Sequence, residues 1–146
     1  MSIAADAEPV LGPLVERTPR LLRSERRPLR GVRSPARTAG LILTFDVGRL
    51  WIEPGERSGE LSVALRDPSE PSPADALSAD EEDPWWAILG CALCNAWARP
   101  DPSGGIAAIE LQFRPDHANP KIVSLALREG ALHVSAYPKK SGPEAT

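Results

Sequence analysis

The sequence predicts an α+β protein that is mainly antiparallel β-sheet, with about six strands joined as hairpins and one short helix near residues 84–90. Three observations carry this prediction: two hairpin patterns with matching apolar residues, one stretch of strict alternation, and a tryptophan-rich segment that begins with proline. The 146 residues suffice for a core without disulfides. We expect an N-terminal arm (1–38), a single domain (39–137) and a flexible tail (138–146).

The arm, residues 1–38, is rich in arginine and proline and carries only short apolar clusters. We expect it to be mostly irregular, with room for one short element docked on the body. Residues 17–37 hold eight arginines against one acid, Glu25. Such an arm is a candidate for nucleic-acid binding, but residues 1–40 contain no aromatic side chain on which a base can stack.

The first hairpin is predicted over residues 41–52. A turn at residues 47–48 gives three cross-strand pairs: Phe45 with Leu50, Leu43 with Ile52, and the opposite charges Asp46 with Arg49. Valine is unfavourable where a turn needs a positive φ, so a loop of about three or four residues fits equally well.

A strand is predicted over residues 60–65, with Leu61, Val63 and Leu65 facing inward. Residues 66–83, here called the acidic insert, follow it with three prolines, many acids and one large apolar residue, Leu77. Such a segment buries too little apolar surface to offset its ordering entropy, so we expect a mobile loop. Its acids can also neutralise the arginines of the arm.

Residues 84–97 hold three of the four tryptophans and are the expected packing centre. Pro84 suits the first turn of a helix over residues 84–90, the preceding acids complement its dipole, and Gly90 can end it. Trp85 and Trp86 cannot both point inward from so short a helix, so we expect one of them to be partly exposed.

Three more strands complete the predicted sheet. Residues 91–99 are apolar on both faces, with Leu93 and Trp97 on one of them. Residues 106–114 show a period-2 pattern, in which one face holds Ala107, Ile109, Leu111 and Phe113 and the other holds Ala108, Glu110, Gln112 and Arg114. A two-residue turn at residues 129–130 closes the last hairpin with three apolar pairs: Leu127 with Leu132, Leu125 with Val134, and Val123 with Ala136.

Cys91 and Cys94 have the spacing of a redox or metal-binding pair, but no second cysteine pair follows and His117 and His133 stand alone. On a strand, residues three apart point to opposite faces, which separates the thiols. We therefore expect structural cysteines and no metal site.

Four polar residues fall on one predicted sheet face: Glu110, Gln112, His133 and Tyr137. If their strands are adjacent, Glu110 and His133 can approach closely enough for acid–base catalysis, and the protein would be an enzyme. The alternative is an ordinary solvated face. We expect the latter, with no catalytic residue and no cofactor.

The tryptophan-rich segment also supplies the residues expected to contact a partner: Trp85, Trp86, Asp80, Glu81 and Glu82. An exposed indole beside an acidic loop is typical of a protein-contact patch. We therefore expect a non-catalytic protein-interaction module, such as an inhibitor, an immunity-like protein or an accessory subunit. Nucleic-acid binding through residues 17–37 and catalysis on the polar face are the alternatives.

No apolar run is long enough for a membrane span or a signal peptide. The abundance of arginine, alanine and proline is typical of bacterial genomes rich in G and C. We expect a cytoplasmic bacterial protein that does not contact a membrane.

Four segments together resemble a family of small bacterial domains of unknown function: the strand at 41–46, the Pro84-Trp85-Trp86 turn that ends at Gly90, Trp97, and the strand at 109–113. The resemblance spans residues 40–137. It supports the fold only, and no catalytic residues are carried over from it. The arginine-rich arm and the acidic insert depart from the more compact pattern of that family.

Overall fold

Two antiparallel sheets pack face to face in this computed structural model. It describes residues 8–32, 34, 36–55, 60–100, 105–114 and 121–138. Within these residues the elements are α1 (Glu8–Glu16), β1 (Leu21–Arg27), β2 (Arg37–Thr38), β3 (Gly40–Phe45), β4 (Gly48–Pro54), β5 (Leu61–Arg66), β6 (Leu77–Ser78), a 3₁₀ helix (Trp85–Ala87), β7 (Ala92–Pro100), β8 (Ile106–Arg114), β9 (Lys121–Arg128) and β10 (Ala131–Pro138). The predicted fold class is confirmed, although the described residues form ten strands rather than six.

The first sheet has the order β5-β4-β3-β1-β6, and the second has the order β2-β10-β9-β8-β7. Most neighbouring strands are consecutive in the chain, because hairpins build both sheets. The sheets meet at a corner where Leu93 N donates to Pro19 O (2.8 Å) and Leu21 N donates to Cys91 O (3.1 Å). This corner places the beginning of β1 beside the beginning of β7.

The core lies between the sheets and draws apolar side chains from both. Phe45 of β3 and Phe113 of β8 stack across the two layers, with ring centroids 6.4 Å apart and ring planes 8° from parallel. Helix α1 packs against β7 and buries Leu11 and Leu14, which lie one turn apart on the same helix face. The core therefore includes part of the N-terminal arm.

The register predicted for the last hairpin is confirmed. Leu125 pairs with Val134 and Leu127 with Leu132. The two turn residues, Glu129 and Gly130, both have positive φ, 53° and 78°. This backbone matches the right-handed twist of the flanking strands, which is why a two-residue turn closes the hairpin.

The turn of the first hairpin differs from its prediction. Leu43 pairs with Leu50 and Phe45 with Gly48, so the turn lies at residues 46–47. This position spares Val47 a positive φ. The partner of each β3 residue is shifted by two residues along β4 relative to the prediction. Two residues is the side-chain period of a strand, so the same side chains still face the core. Asp46 lies beside Arg20, whose backbone N–H donates to Asp46 Oδ1 (3.1 Å), and not beside Arg49.

The prediction that Trp97 lies on the same strand face as Leu93 is wrong. A bulge between Leu93 and Asn95 adds one residue to β7. The extra residue reverses the alternation, so Ala96 and Ala98 pack against the core. Trp97 is turned outward and is 37% exposed.

The expectation of a mostly irregular arm is also wrong, since α1, β1 and β2 all lie within residues 1–38. β1 pairs with β3 on one side and with β6 of the acidic insert on the other.

The predicted helix over residues 84–90 is reduced to the 3₁₀ helix, because Gly90 N already donates to Leu21 O (2.6 Å). At the C-terminus, β10 continues to Pro138, and the rest of the predicted tail is outside the described residues.

Leu125→Asp should lower the free energy of unfolding by more than about 4 kcal/mol, because it places an unpaired charge in the core. Leu125 is fully buried on the inner face of β9. Ser135→Asp, on the exposed side of β10, is the matched control and should change stability by less than about 0.5 kcal/mol. Urea unfolding of both variants tests this, and similar midpoints would contradict the assigned faces.

Gly130→Ala should lower the free energy of unfolding by about 1 kcal/mol, because a side chain is strained at positive φ. An added Cβ at Gly130 meets no atom within 4 Å, so backbone strain alone sets the loss. Gly130→Asn is the control and should lose less, because asparagine tolerates this conformation. Thermal unfolding of both variants measures the difference.

Candidate interaction surfaces

The arginines of β1 pair with the acids of the insert. Arg26 donates to both carboxylate oxygens of Glu82, from Nε (2.7 Å) and from Nη2 (3.0 Å). Arg27 Nε donates to Asp75 Oδ1 (3.1 Å). The hydrogen bond to Glu82 raises the pKa of Arg26, and burial opposes this rise. The insert thus contacts β1 through these ion pairs, and its acids neutralise two arginines of the arm, Arg26 and Arg27.

Asp80 fixes the insert at a second point. Its Oδ1 accepts hydrogen bonds from Ser24 N (2.6 Å) and Ser24 Oγ (2.9 Å). Near the start of the insert, Asp67 accepts from the backbone and hydroxyl of Ser69, which lowers the pKa of Asp67. These contacts order backbone that the composition alone predicts to be mobile.

Arg49 of β4 forms hydrogen bonds with the middle of the insert. Its side chain is 3% exposed. Nη1 donates to Glu70 O (2.5 Å), and Nη2 donates to Glu25 Oε1 (2.5 Å) and Ser72 Oγ (2.6 Å). Ser72 Oγ also donates to Glu25 Oε1 (2.9 Å). A buried guanidinium is stable only when paired and hydrogen-bonded, and the insert supplies two of its acceptors.

The two adjacent tryptophans have opposite environments. Trp85 is buried in the core, whereas Trp86 is 61% exposed, so the expectation that one is exposed is confirmed. The Trp86 backbone N–H donates to Glu82 O (3.1 Å), and its indole Nε1–H donates to Asp83 Oδ1. The exposed ring is therefore held in one orientation by its own segment.

The five predicted contact residues divide between the interior and the surface. Trp85 is in the core, and the carboxylates of Asp80 and Glu82 are used within the chain. Trp86 and Glu81 are exposed. Asp83 is also exposed and belongs to this surface, although it is not among the five predicted contact residues. Its position three residues before Trp86 is the only sequence signal for its role.

The polar face of the second sheet does not join Glu110 to His133. Glu110 lies on β8 and His133 on β10, with β9 between them. Two strand spacings of about 4.8 Å separate β8 from β10, and the register aligns Glu110 with Ser135 and not with His133. Glu110 Oε1 instead accepts from Arg99 Nε (3.0 Å) and Arg99 Nη2 (2.6 Å). The geometry gives no acid–base pair between Glu110 and His133.

The other two predicted members of this face, Gln112 and Tyr137, lie on β8 and β10. Gln112 is buried on β8, and Cys94 Sγ donates to its carbonyl oxygen (3.4 Å). Tyr137 pairs with Ile122 through the backbone, and its side chain is outside what the structure describes. His133 Nε2 is buried and has no hydrogen-bond partner among the described residues.

Cys91 and Cys94 are not joined in a disulfide, and both are half-buried. Cys91 packs against the core. His117 lies outside the described residues. Among the residues that are described, no three or more side chains of His, Cys, Asp or Glu are grouped to hold a metal ion. In the same part of the chain, no helix has both the length and the apolar character needed to cross a membrane.

Comparisons with protein-family models, with curated proteins and with solved structures found no match to this chain. The resemblance of residues 40–137 to small bacterial domains stays a prediction. Candidate functional residues are therefore assigned from geometry alone.

The Arg26–Glu82 pair should stabilise the fold more than a surface pair does. A double-mutant cycle with Arg26→Gln and Glu82→Gln should give a coupling free energy of about 1–2 kcal/mol, because both hydrogen bonds are charge-assisted and Arg26 is largely buried. The control is Arg66 with Glu70, an exposed pair at 3.6 Å, which should give less than about 0.5 kcal/mol. Equal coupling in the two cycles would show that the insert is not held at Arg26.

Proposed function

We propose that this protein is a non-catalytic protein-interaction module that presents Trp86 to a partner protein. The observation that supports this most is the contrast between exposure and order at Trp86: the ring is 61% exposed, yet its indole N–H is bonded to Asp83. Tryptophan is enriched among the residues that dominate binding energy at protein interfaces.

The order of this surface lowers the cost of binding. Immobilising a side chain at an interface costs about 0.5–1.5 kcal/mol. The bond to Asp83 has already restricted the Trp86 ring, and the buried Trp85 next to it fixes the backbone. A partner therefore meets an aromatic group that needs little further ordering.

Glu81 and Asp83 give the surface an acidic border around Trp86. An apolar pocket with basic residues at its rim is the complementary partner surface, since opposite potentials speed association and exclude wrong partners. The roles that fit are an inhibitor, an immunity-like protein or an accessory subunit. We place this function in the bacterial cytoplasm, and two cysteines that are not joined in a disulfide are consistent with a reducing compartment.

The other two functions have less support. Nucleic-acid binding needs free arginines, but Arg26 and Arg27 of the basic stretch are paired with acids of the insert. Acid–base catalysis needs Glu110 near His133, but a strand lies between them.

Photo-crosslinking from position 86 tests the proposal. A photoreactive phenylalanine analogue at Trp86 should form a covalent adduct with a partner protein in the native host. The same analogue at Ser135, exposed on the second sheet, is the control and should not form that adduct. Against the purified partner, Trp86→Ala should weaken binding by at least about tenfold, whereas Trp97→Ala should leave the affinity within about twofold.

Two outcomes would count against a Trp86 surface. One is an identical set of adducts from positions 86 and 135. The other is equal partner affinity for the Trp86→Ala variant and the unchanged protein. Salt-sensitive retention on DNA or RNA that is lost when Arg17 and Arg30 are changed to Ala would instead favour the nucleic-acid alternative.

A further inference from the structure

The outer face of the first sheet, turned away from the core, carries a set of side chains unlike an ordinary solvated sheet face. Register places Glu25, Ile42, Trp51 and Ala64 in one row across β1, β3, β4 and β5. Ile42 is 1% exposed but is outside the core cluster, so it is covered from the outer side. The insert is the segment whose contacts reach this side, through Arg49.

This face carries arginines beside its aromatic ring, and two acids of the same face pair with them: Glu25 with Arg49 (2.5 Å) and Glu53 with Arg27 (3.5 Å). The guanidinium of Arg66 stacks on the Trp51 ring, 4.2 Å from its centroid. Arg49 lies in the next row and donates to Glu70 O and Ser72 Oγ. Arg27, at the other end of the face, binds Asp75. The face thus binds residues 67–76 of the chain through arginines that meet carbonyl, hydroxyl and carboxylate oxygens.

The fit between the face and residues 67–76 is incomplete. Trp51 Nε1 is buried and has no hydrogen-bond acceptor in the described part of the chain. A buried donor without a partner costs about 1–3 kcal/mol. Residues 67–76 include three prolines and no large apolar side chain, so polar contacts provide most of their attachment. The attachment of residues 67–76 therefore depends on the hydrogen bonds to Arg49, Glu25 and Arg27, and it leaves the Trp51 donor without a partner.

We propose that this face is a docking surface for an acidic, proline-containing extended segment of another protein, and that residues 67–76 occupy it as an internal competitor. The bound segment of the chain itself displays the recognition chemistry: a carbonyl and a hydroxyl on Arg49 and a carboxylate on Arg27. A competing segment that also brings an acceptor to Trp51 Nε1 gains a bond that the internal segment lacks. This surface is independent of the proposed role of Trp86.

The test uses a synthetic peptide with the sequence of residues 67–76. The receiving protein is a variant in which these ten residues are replaced by an equal length of glycine and serine, so β5 and β6 keep their connection. The peptide should bind this variant and shift the indole N–H signal of Trp51 in an NMR spectrum, assigned by its loss in Trp51→Phe. A peptide carrying Ser72→Ala and Asp75→Lys is the control and should bind at least about tenfold more weakly.

The intact chain should bind the first peptide at least about tenfold more weakly than the variant does, because the internal segment occupies the face. Equal binding of both peptides, equal affinity of the intact chain and the variant, or no binding to the folded variant would overturn the proposal.

Hydrogen exchange on the intact protein tests the same point if the variant does not fold. The Trp51 indole proton should exchange faster than the backbone amides of β3, and raising the salt to about 1 M, where the Debye length is about 3 Å, should speed its exchange selectively. If this proton exchanges only at the rate of global unfolding, residues 67–76 do not detach from the face in the folded protein, and the proposal is overturned.

Discussion

The pairing of the basic β1 with the acidic insert is the interaction on which the rest of the structure depends. β1 lies inside the first sheet, between β3 and β6, although four of its seven residues are charged. Such a strand is tolerated only where its charges meet opposite charges or stay in water. Glu82 and Asp75 provide that compensation for Arg26 and Arg27, and β6 adds backbone pairing on the open side.

The acidic insert therefore contributes to two surfaces, the outer face of the first sheet and the surface at Trp86. The first half of the insert lies over the outer face of the first sheet, where Glu70 and Ser72 complete the hydrogen bonds of the buried Arg49. The second half is fixed to β1 by Asp80 and Glu82, and it leads into the 3₁₀ helix. Burial of Trp85 then leaves the next residue, Trp86, on the outside, because adjacent positions of a single turn cannot share one face.

The candidate site was partly predictable from sequence. The tryptophan doublet and the spacing of a helix predicted one exposed indole. The period-2 pattern predicted that Glu110 and Gln112 lie on one face of their strand. The side-chain partners were not predictable, because Ser24 and Arg26 meet acids 56 positions away. For the same reason, Asp80 and Glu82 looked available for a partner in the sequence although their carboxylates bind β1.

The sequence by itself determined the fold class, the strand at 106–114 and the register of the last hairpin, because alternation and a two-residue Glu-Gly turn are local signals. Tertiary structure decided the rest. A bulge in β7 turned Trp97 outward, a shift of two residues moved the turn of the first hairpin off Gly48, and β9 came to lie between Glu110 and His133. Each of these outcomes depends on which strands become neighbours, and that choice depends on contacts between residues far apart in the chain.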